Sequence, residues 1–347
     1  IAIDQEAFGN LRRVQEIRLP DKRTSIGSNA FSYMMRLRRL EIPSTVKTVE
    51  HGILRGLQGA LVIISDANQT ANWDVNWNID GAQVYFGDEL TIVQDDIFEY
   101  YVINGQAKIM GYITAPTQET NLTIPSHVSY AGQMVTVNAI GAGAFRQIDQ
   151  LRSVSIPSTI EVIESQAFQS SRNIQRVTFE ADSQLHTIGQ EAFAYIWNLR
   201  SITLPKNLRN LESRALSYNL EEITVVSGNA YFKAVDNVLF NHSQTALILY
   251  ASRLDQSVYT IPDSVKVIKS YAFDQSRNLT SINFSQSSQL ETVESYAFWD
   301  SGLRYIELPE GLKNISTHAF SASHQLSKIY LPSTLENLGS EIFGWDE

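Results

Sequence analysis

Cysteine is absent from all 347 residues. That excludes disulfides, thiol nucleophiles and thiolate zinc sites. No apolar run is long enough to span a bilayer, and no secretory leader opens the sequence. Positive charge is in deficit, with 27 Lys and Arg against 37 Asp and Glu, a formal net charge of −10. Nucleic acid, which demands a basic face, is therefore not an expected partner, and anionic membrane surfaces are disfavoured. Catalytic signatures are missing as well. His51, His127, His186, His242, His318 and His324 are scattered, with no HExxH pair, no GxSxG elbow and no phosphate-cradling glycine loop. Gly141-Ala142-Gly143 reads as a tight turn rather than part of a dinucleotide loop. The Asp- and Asn-rich stretch Asp66–Asp80 lacks EF-hand spacing. No catalytic residue, metal or cofactor is expected, and the chain is read as a non-enzyme.

What is present is a repeat. Ala-Phe recurs at Phe8, Phe31, Phe145, Phe168, Phe193, Phe273, Phe298 and Phe320, in steps of 22 to 25 residues within runs. Proline is scarce, yet eight of the nine stand as Ile-Pro or Leu-Pro, and after Pro20, Pro157, Pro262, Pro309 and Pro332 a Phe follows eleven residues later. A period in the low twenties is the mark of a leucine-rich-repeat solenoid, which buries a core by stacking coils. In LRSVSIPSTIEVIESQAFQSSRN (Leu151–Asn173) the alternation around Val154 and Ile156 suits a short strand. Pro157 then ends it, because proline removes a ladder donor. The return segment closes on Ala-Phe, whose ring fills the coil. Ile53-Leu54, Ala215-Leu216 and Ile342-Phe343 stand in the same place as volume-preserving swaps. The expected fold is mainly β: a curved solenoid with a parallel concave sheet of short strands and irregular return segments.

The motif Leu-x-x-Ile-x-Leu-Pro-x-x-Leu-x-x-Ile-x-x-x-Ala-Phe, written here as LRSVSIPSTIEVIESQAF and LRYIELPEGLKNISTHAF, resembles the BspA-like, Treponema-type leucine-rich repeats of bacterial surface proteins. LTSINFSQSSQLETVESYAF matches it without the proline and with two extra residues. The resemblance covers roughly residues 1–57 and 137–347. It implies a cell-surface or secreted setting, and adhesion or binding of a host or matrix protein. A structural spacer arm without a ligand is the alternative. The Asn-x-Ser/Thr triplets, as at Asn121 and Asn283, read as chance in such a chain.

Periodicity stops after Leu57. Leu61–Ile64 reads as a buried strand, followed by a polar stretch holding Trp73 and Trp77. The expected role is a cap with its rings inward; the competing reading is an aromatic carbohydrate platform. Asn104-Gly105 between two strand-like runs signals a hairpin. The chain therefore divides into a first repeat block with its closing cap (1–88), a linker (89–97), and a second solenoid opened by a hairpin cap (98–347). Between Leu216 and Phe273, Tyr231–Pro262 reads as a longer repeat with a hairpin around Asn241-His242-Ser243. The chain reads as a fragment of a longer protein, so its first coil is expected to fray or to self-associate weakly.

Strand alternation points one set of side chains outward. These are Glu16 and Arg18, Arg39 and Glu41, Ser153 and Ser155, Arg176 and Thr178, Ser201 and Thr203, Glu222 and Thr224, Ser281 and Asn283, Tyr305 and Glu307, and Lys328 and Tyr330. From Arg39 onward they form the candidate ligand face, with Tyr305 and Tyr330 as the expected anchors.

Overall fold

A computed structural model describes residues 2–11, 14, 16–34, 37, 39–57, 61–65, 67–86 and 90–344. Asp66, the start of the expected linker at residue 89, and the chain's first and last residues lie outside the described residues. The chain forms two compact units. The first is Ile1–Thr114 with His127–Ala144 and Ser165–Ala167; the second is Ala115–Ser126 with Phe145–Glu164 and Phe168–Glu347.

Both units are parallel stacks of short strands, and no α-helix occurs among the described residues. In the first unit Glu16–Arg18, Arg39–Ile42, Leu61–Ile64 and Gln83–Phe86 form one parallel sheet. Two-residue strands at Ala2–Ile3, Ser25–Ile26 and Thr48–Val49 form another. In the second unit the leading strands pair as Thr120–Thr123 with Leu151–Ile156 and Arg176–Phe179, Ser201–Leu204 with Glu222–Val225, Val258–Thr260 with Ser281–Asn283, and Tyr305–Glu307 with Lys328–Tyr330. Each of the eight Ile-Pro or Leu-Pro prolines falls within two residues of a strand end. That placement follows from the missing N–H, which would leave a gap in any ladder.

The Ala-Phe corner makes a third ladder. The backbone N–H of Phe31, Phe168, Phe193, Phe273, Phe298 and Phe320 donates to a carbonyl of the next coil at 2.8–3.0 Å. These rings are fully buried. Phe145, Phe168 and Phe193 stack at 5.4 and 5.1 Å, and Phe273, Phe298 and Phe320 at 4.9 Å each. Buried serines satisfy the corner's polar groups: Ser171 Oγ donates to the Phe145 carbonyl at 2.6 Å and accepts from the Ile148 N–H at 2.9 Å.

The corner's bend is carried by backbone. Two residues before and after the ring position, residues sit in the left-handed region: Tyr271 and Gln275 around Phe273 have φ of 61° and 54°, and Tyr296 and Asp300 around Phe298 have 60° and 50°. The same holds at Glu191, Arg214 and His318, none of them glycine. Glycine matters elsewhere for space. A Cβ on Gly302 would meet the Arg277 carbonyl oxygen at 2.1 Å. Gly302→Ala is expected to lower stability by roughly 1–3 kcal/mol through overpacking, read from chemical denaturation.

Two hairpins were legible and one was not. Phe98–Ile103 and Gln106–Tyr112 pair antiparallel around Asn104-Gly105, whose φ values of 50° and 77° make the expected two-residue turn. Val238–Asn241 pairs antiparallel with Ala246–Tyr250, as expected. A second hairpin precedes it, Phe232–Val235 with Val238–Asn241, around Asp236-Asn237 with φ of 49° and 62°. Of the expected linker, Thr91–Gln94 is a strand paired with Phe98–Ile103. Trp73 is buried in the first unit's core and meets Trp77 edge to face at 5.1 Å. The ring faces of this pair are therefore not laid out as a flat exposed platform for sugar.

The double hairpin interrupts the return stack. Val162–Ile163, Thr187–Ile188 and Asn210–Leu211 pair in succession, and a new series runs from the hairpins through Val267–Ile268, Thr292–Val293, Asn314–Ile315 and Asn337–Leu338. Tyr250 takes the ring position of the long coil, with its N–H on the Ala272 carbonyl at 2.7 Å and its ring 5.2 Å from Phe273. Across the interruption Arg214 reaches Asp274 at 3.0 Å. Its guanidinium lies 4.9 Å from the Tyr195 ring and 4.4 Å from the Tyr271 ring.

Candidate functional site: the outward strand row

Residues on a strand alternate faces, so the side chains flanking each buried Val or Ile line up coil after coil. In the second unit Asn121, Ser153 and Arg176 form one row and Thr123, Ser155 and Thr178 the next. Ser201 aligns with Glu222, and Thr203 with Thr224. The hydroxyls engage one another: Ser153 Oγ donates to Asn121 Oδ1 at 2.7 Å, and the Thr203 and Thr224 hydroxyls are 2.8 Å apart. Arg176, Thr178, Ser201, Thr203 and Glu222 are exposed, while Ser153, Ser155 and Thr224 are half-buried. A groove of about 430 Å³ borders this stretch, with Thr178, Thr203 and Lys206 as polar lining and Phe179 and Val226 as apolar lining.

The later coils are richer in exposed apolar area. Tyr305 aligns with Lys328 and Glu307 with Tyr330, and the two tyrosines are 46% and 55% exposed. Val258 adds to the exposed apolar area of the same strand series. Asn283 is exposed, but its expected companion Ser281 is only 9% exposed and is a wall residue rather than a contact.

In the first unit the outward row is covered in part: Arg39 is buried and Glu41 half-buried, while Glu16 and Arg18 stay exposed. Glu16 pairs with Arg39 in register, and Arg18, Glu41, Ile63 and Tyr85 form the neighbouring row. Over it lies the antiparallel hairpin, with Tyr101 and Met110 packed on Ile63 and Tyr85. Lys108 Nζ reaches the Tyr85 hydroxyl at 3.2 Å, and Arg39 lies 3.7 Å from Glu99. Arg39 also pairs with Glu16 and, at 3.6 Å, with Glu41; Arg18 pairs with Glu41 at 2.6 Å. Burial disfavours a charged Arg39, yet hydrogen bonding to Glu16 and the field of Glu99 hold its pKa above the ordinary arginine value. Arg39 and Glu41, expected as open ligand contacts, are thus committed to this internal network, with Arg39 only 9% exposed. Sequence reasoning missed this because it places residues on a face without saying what covers the face.

Among the described residues no group of three or more acidic or histidine side chains is placed to hold a metal ion. No helix is long and apolar enough to cross a membrane. His318 stacks on Tyr296 at 4.9 Å and lies 3.5 Å from Glu341.

A search of curated proteins finds no match. Among solved structures, the chain is similar to the pneumococcal vaccine antigen PcpA, at 21% identity over 72% of this chain and 89% of that one, with a TM-score of 0.49. It is similar to a leucine-rich repeat protein of Eubacterium ventriosum at 19% identity, covering 68% and 70% of the two chains, also with a TM-score of 0.49. A Treponema pallidum leucine-rich repeat protein matches at 19% identity over 72% and 86%, with a TM-score of 0.33. The model of the BspA-type leucine-rich repeat region matches residues 1–104, 117–246 and 250–345, in six copies. With that match covering most of its length, the chain belongs to the BspA-type leucine-rich repeat family.

Proposed function

We propose that the chain is a non-enzymatic protein-interaction module of a bacterial surface or secreted protein, docking a host or matrix protein on the outward strand row of its second unit. One observation carries this reading: the equivalent row of the first unit already serves as a docking face within the molecule. There the strand row takes the weight of an antiparallel hairpin through a tyrosine, a methionine and an arginine–glutamate pair. The second unit offers the same kind of surface, with polar rows at Arg176, Thr178, Ser201, Thr203, Glu222 and Thr224, and aromatic anchors at Tyr305 and Tyr330. Tyrosine and arginine are the side chains that most often concentrate binding energy.

The test begins with capture from extracellular host proteins and continues with affinity measurement on the purified partner. Tyr305→Ala and Tyr330→Ala are each expected to weaken that partner by about 2 kcal/mol, roughly thirtyfold, and Arg176→Glu to weaken it as well. Melting temperatures stay within a degree or two, because all three side chains are exposed. Unchanged affinity in all three variants rejects the strand row as the docking face. An empty capture favours the spacer arm.

A further inference from the structure

In the second unit a return strand passes two hydrogen bonds to the next. The carbonyl before the strand and the carbonyl of its inward residue accept N–H groups of the following coil. His186 and Ile188 accept from Asn210 and Glu212 at 2.9 and 3.0 Å, and Lys266 and Ile268 accept from Glu291 and Glu294 at 2.8 and 2.9 Å. At the double hairpin the series breaks off. Asn210–Leu211 is the edge strand of its sheet, and among the described residues no N–H is hydrogen-bonded to the carbonyls of Arg209 and Leu211. An open strand edge is a template for another chain, because its backbone groups are already aligned.

Side chains mark the same break. Ile163, Ile188, Ile268 and Val293, the inward residues of other return strands, are fully buried, whereas Leu211 is half-buried. Leu211 lines a cavity of about 320 Å³ together with Leu216, Ile248 and Leu249. Leu239 pairs with Leu249 and Phe240 with Leu247, so Ile248 is the extra residue of a bulge. The charged lining is closed within the fold: Lys269 pairs with Glu294, Arg214 with Asp274 at 3.0 Å, and Glu212 accepts from the Gln190 N–H at 2.8 Å. An occupant is therefore asked for apolar contact by the cavity and for N–H donors by the strand edge.

We infer that this edge binds an extended peptide segment of a partner protein as an added parallel strand. Its inward residue is aliphatic and packs on Leu211 and Ile248. The N–H groups flanking that residue donate to the Arg209 and Leu211 carbonyls. Neighbouring coils supply the same pattern, as Val267 and Lys269 do in donating to Thr245 and Leu247 on either side of Ile268. Main-chain bonds of this kind give affinity and the pocket gives specificity. Arg209 and Asn210 are exposed, so the edge is open to a partner. The surface is separate from the outward strand row, and it stands or falls independently of the docking proposal.

The probe is a capped, dye-labelled peptide with the sequence VKVIKS, that of Val265–Ser270, titrated in fluorescence anisotropy. Saturable binding is expected. N-methylation of the lysine after its isoleucine removes the donor to Leu211 and is expected to weaken binding about fivefold or more. Replacing the isoleucine with aspartate abolishes it. Ile248→Glu, which puts a carboxylate into the apolar cavity, is expected to abolish binding of the unmodified peptide. Should that variant fold poorly, a fluorophore on Ser213→Cys, the sole thiol in a cysteine-free chain, reports on the cavity and is expected to respond to the peptide with the same midpoint. No saturation, equal binding of the N-methylated peptide, binding that survives Ile248→Glu, or a silent Ser213→Cys label would overturn the assignment.

Discussion

Phe168→Ala costs roughly 3–5 kcal/mol of unfolding free energy in denaturant titration, the expected loss for emptying a large aromatic site. The size follows from the site. Phe168 is fully buried and stacks between Phe145 and Phe193, at interplanar angles of 13° and 6°. Removing it exposes both neighbours' faces to a void, and in a stacked-coil protein the interface between coils is where stability resides. Phe168→Leu is expected to cost less, about 1 kcal/mol, because Leu54 and Leu216 fill the same place in other coils and are buried there. Tyr330→Ala, at a site 55% exposed, is expected to stay within about 0.5 kcal/mol. A Phe168→Ala penalty no larger than that of Tyr330→Ala would refute stacking as the source of cohesion.

Arg214→Ala is the second large effect, at roughly 3–5 kcal/mol near neutral pH, because it strands the buried Asp274 carboxylate. Its pH dependence has a definite sign. Desolvation raises the Asp274 pKa to about 6 in the folded chain, from about 3.9 when unfolded. The stabilising contribution of the protonated form is fully present below about pH 4 and is lost as pH rises through about 6. Wild-type stability therefore loses this contribution between those values, and Asp274→Asn removes that segment of the curve. Without Arg214 the carboxyl titrates higher still, so the Arg214→Ala penalty shrinks at pH 4.5 relative to pH 7.5. Unfolding free energies of the three proteins at those two pH values check this; a penalty independent of pH sinks it.

Much of the fold is legible in the sequence because stacking forces repetition. A ring that must sit on the ring below has to recur in phase, and Phe145, Phe168 and Phe193 do. Proline marks strand ends because its missing donor is intolerable inside a ladder. Asn104-Gly105 marks a hairpin because both residues accept positive φ. Asp236-Asn237 carries the same chemistry, but in the sequence the longer Asn241-His242-Ser243 loop beyond it is the stronger turn signal. Tyr250 escaped because it reverses the motif, with alanine following the ring rather than preceding it. The candidate site was legible only as an orientation. That Ser155, Thr178 and Tyr330 point outward follows from a period of two. That Arg39 is covered by Glu99 and Tyr101, and that Arg214 meets Asp274 across 60 residues, depends on which segments fold over which.

Left-handed backbone recurs at the corner whichever side chain is present: Glu191, Arg214, Tyr271, Tyr296 and His318 share the conformation and nothing else. The bend is thus indifferent to residue type, so what stands there is set by its neighbours rather than by the backbone. Neighbouring rungs spell an aromatic strip there, Tyr271 on Tyr296 at 5.0 Å and Tyr296 on His318 at 4.9 Å, while an earlier rung presents a guanidinium. A scaffold of this kind can be rewritten one letter per storey, acquiring a new edge chemistry wherever, unlike Arg214 on Asp274, the letter is not tied to a buried partner.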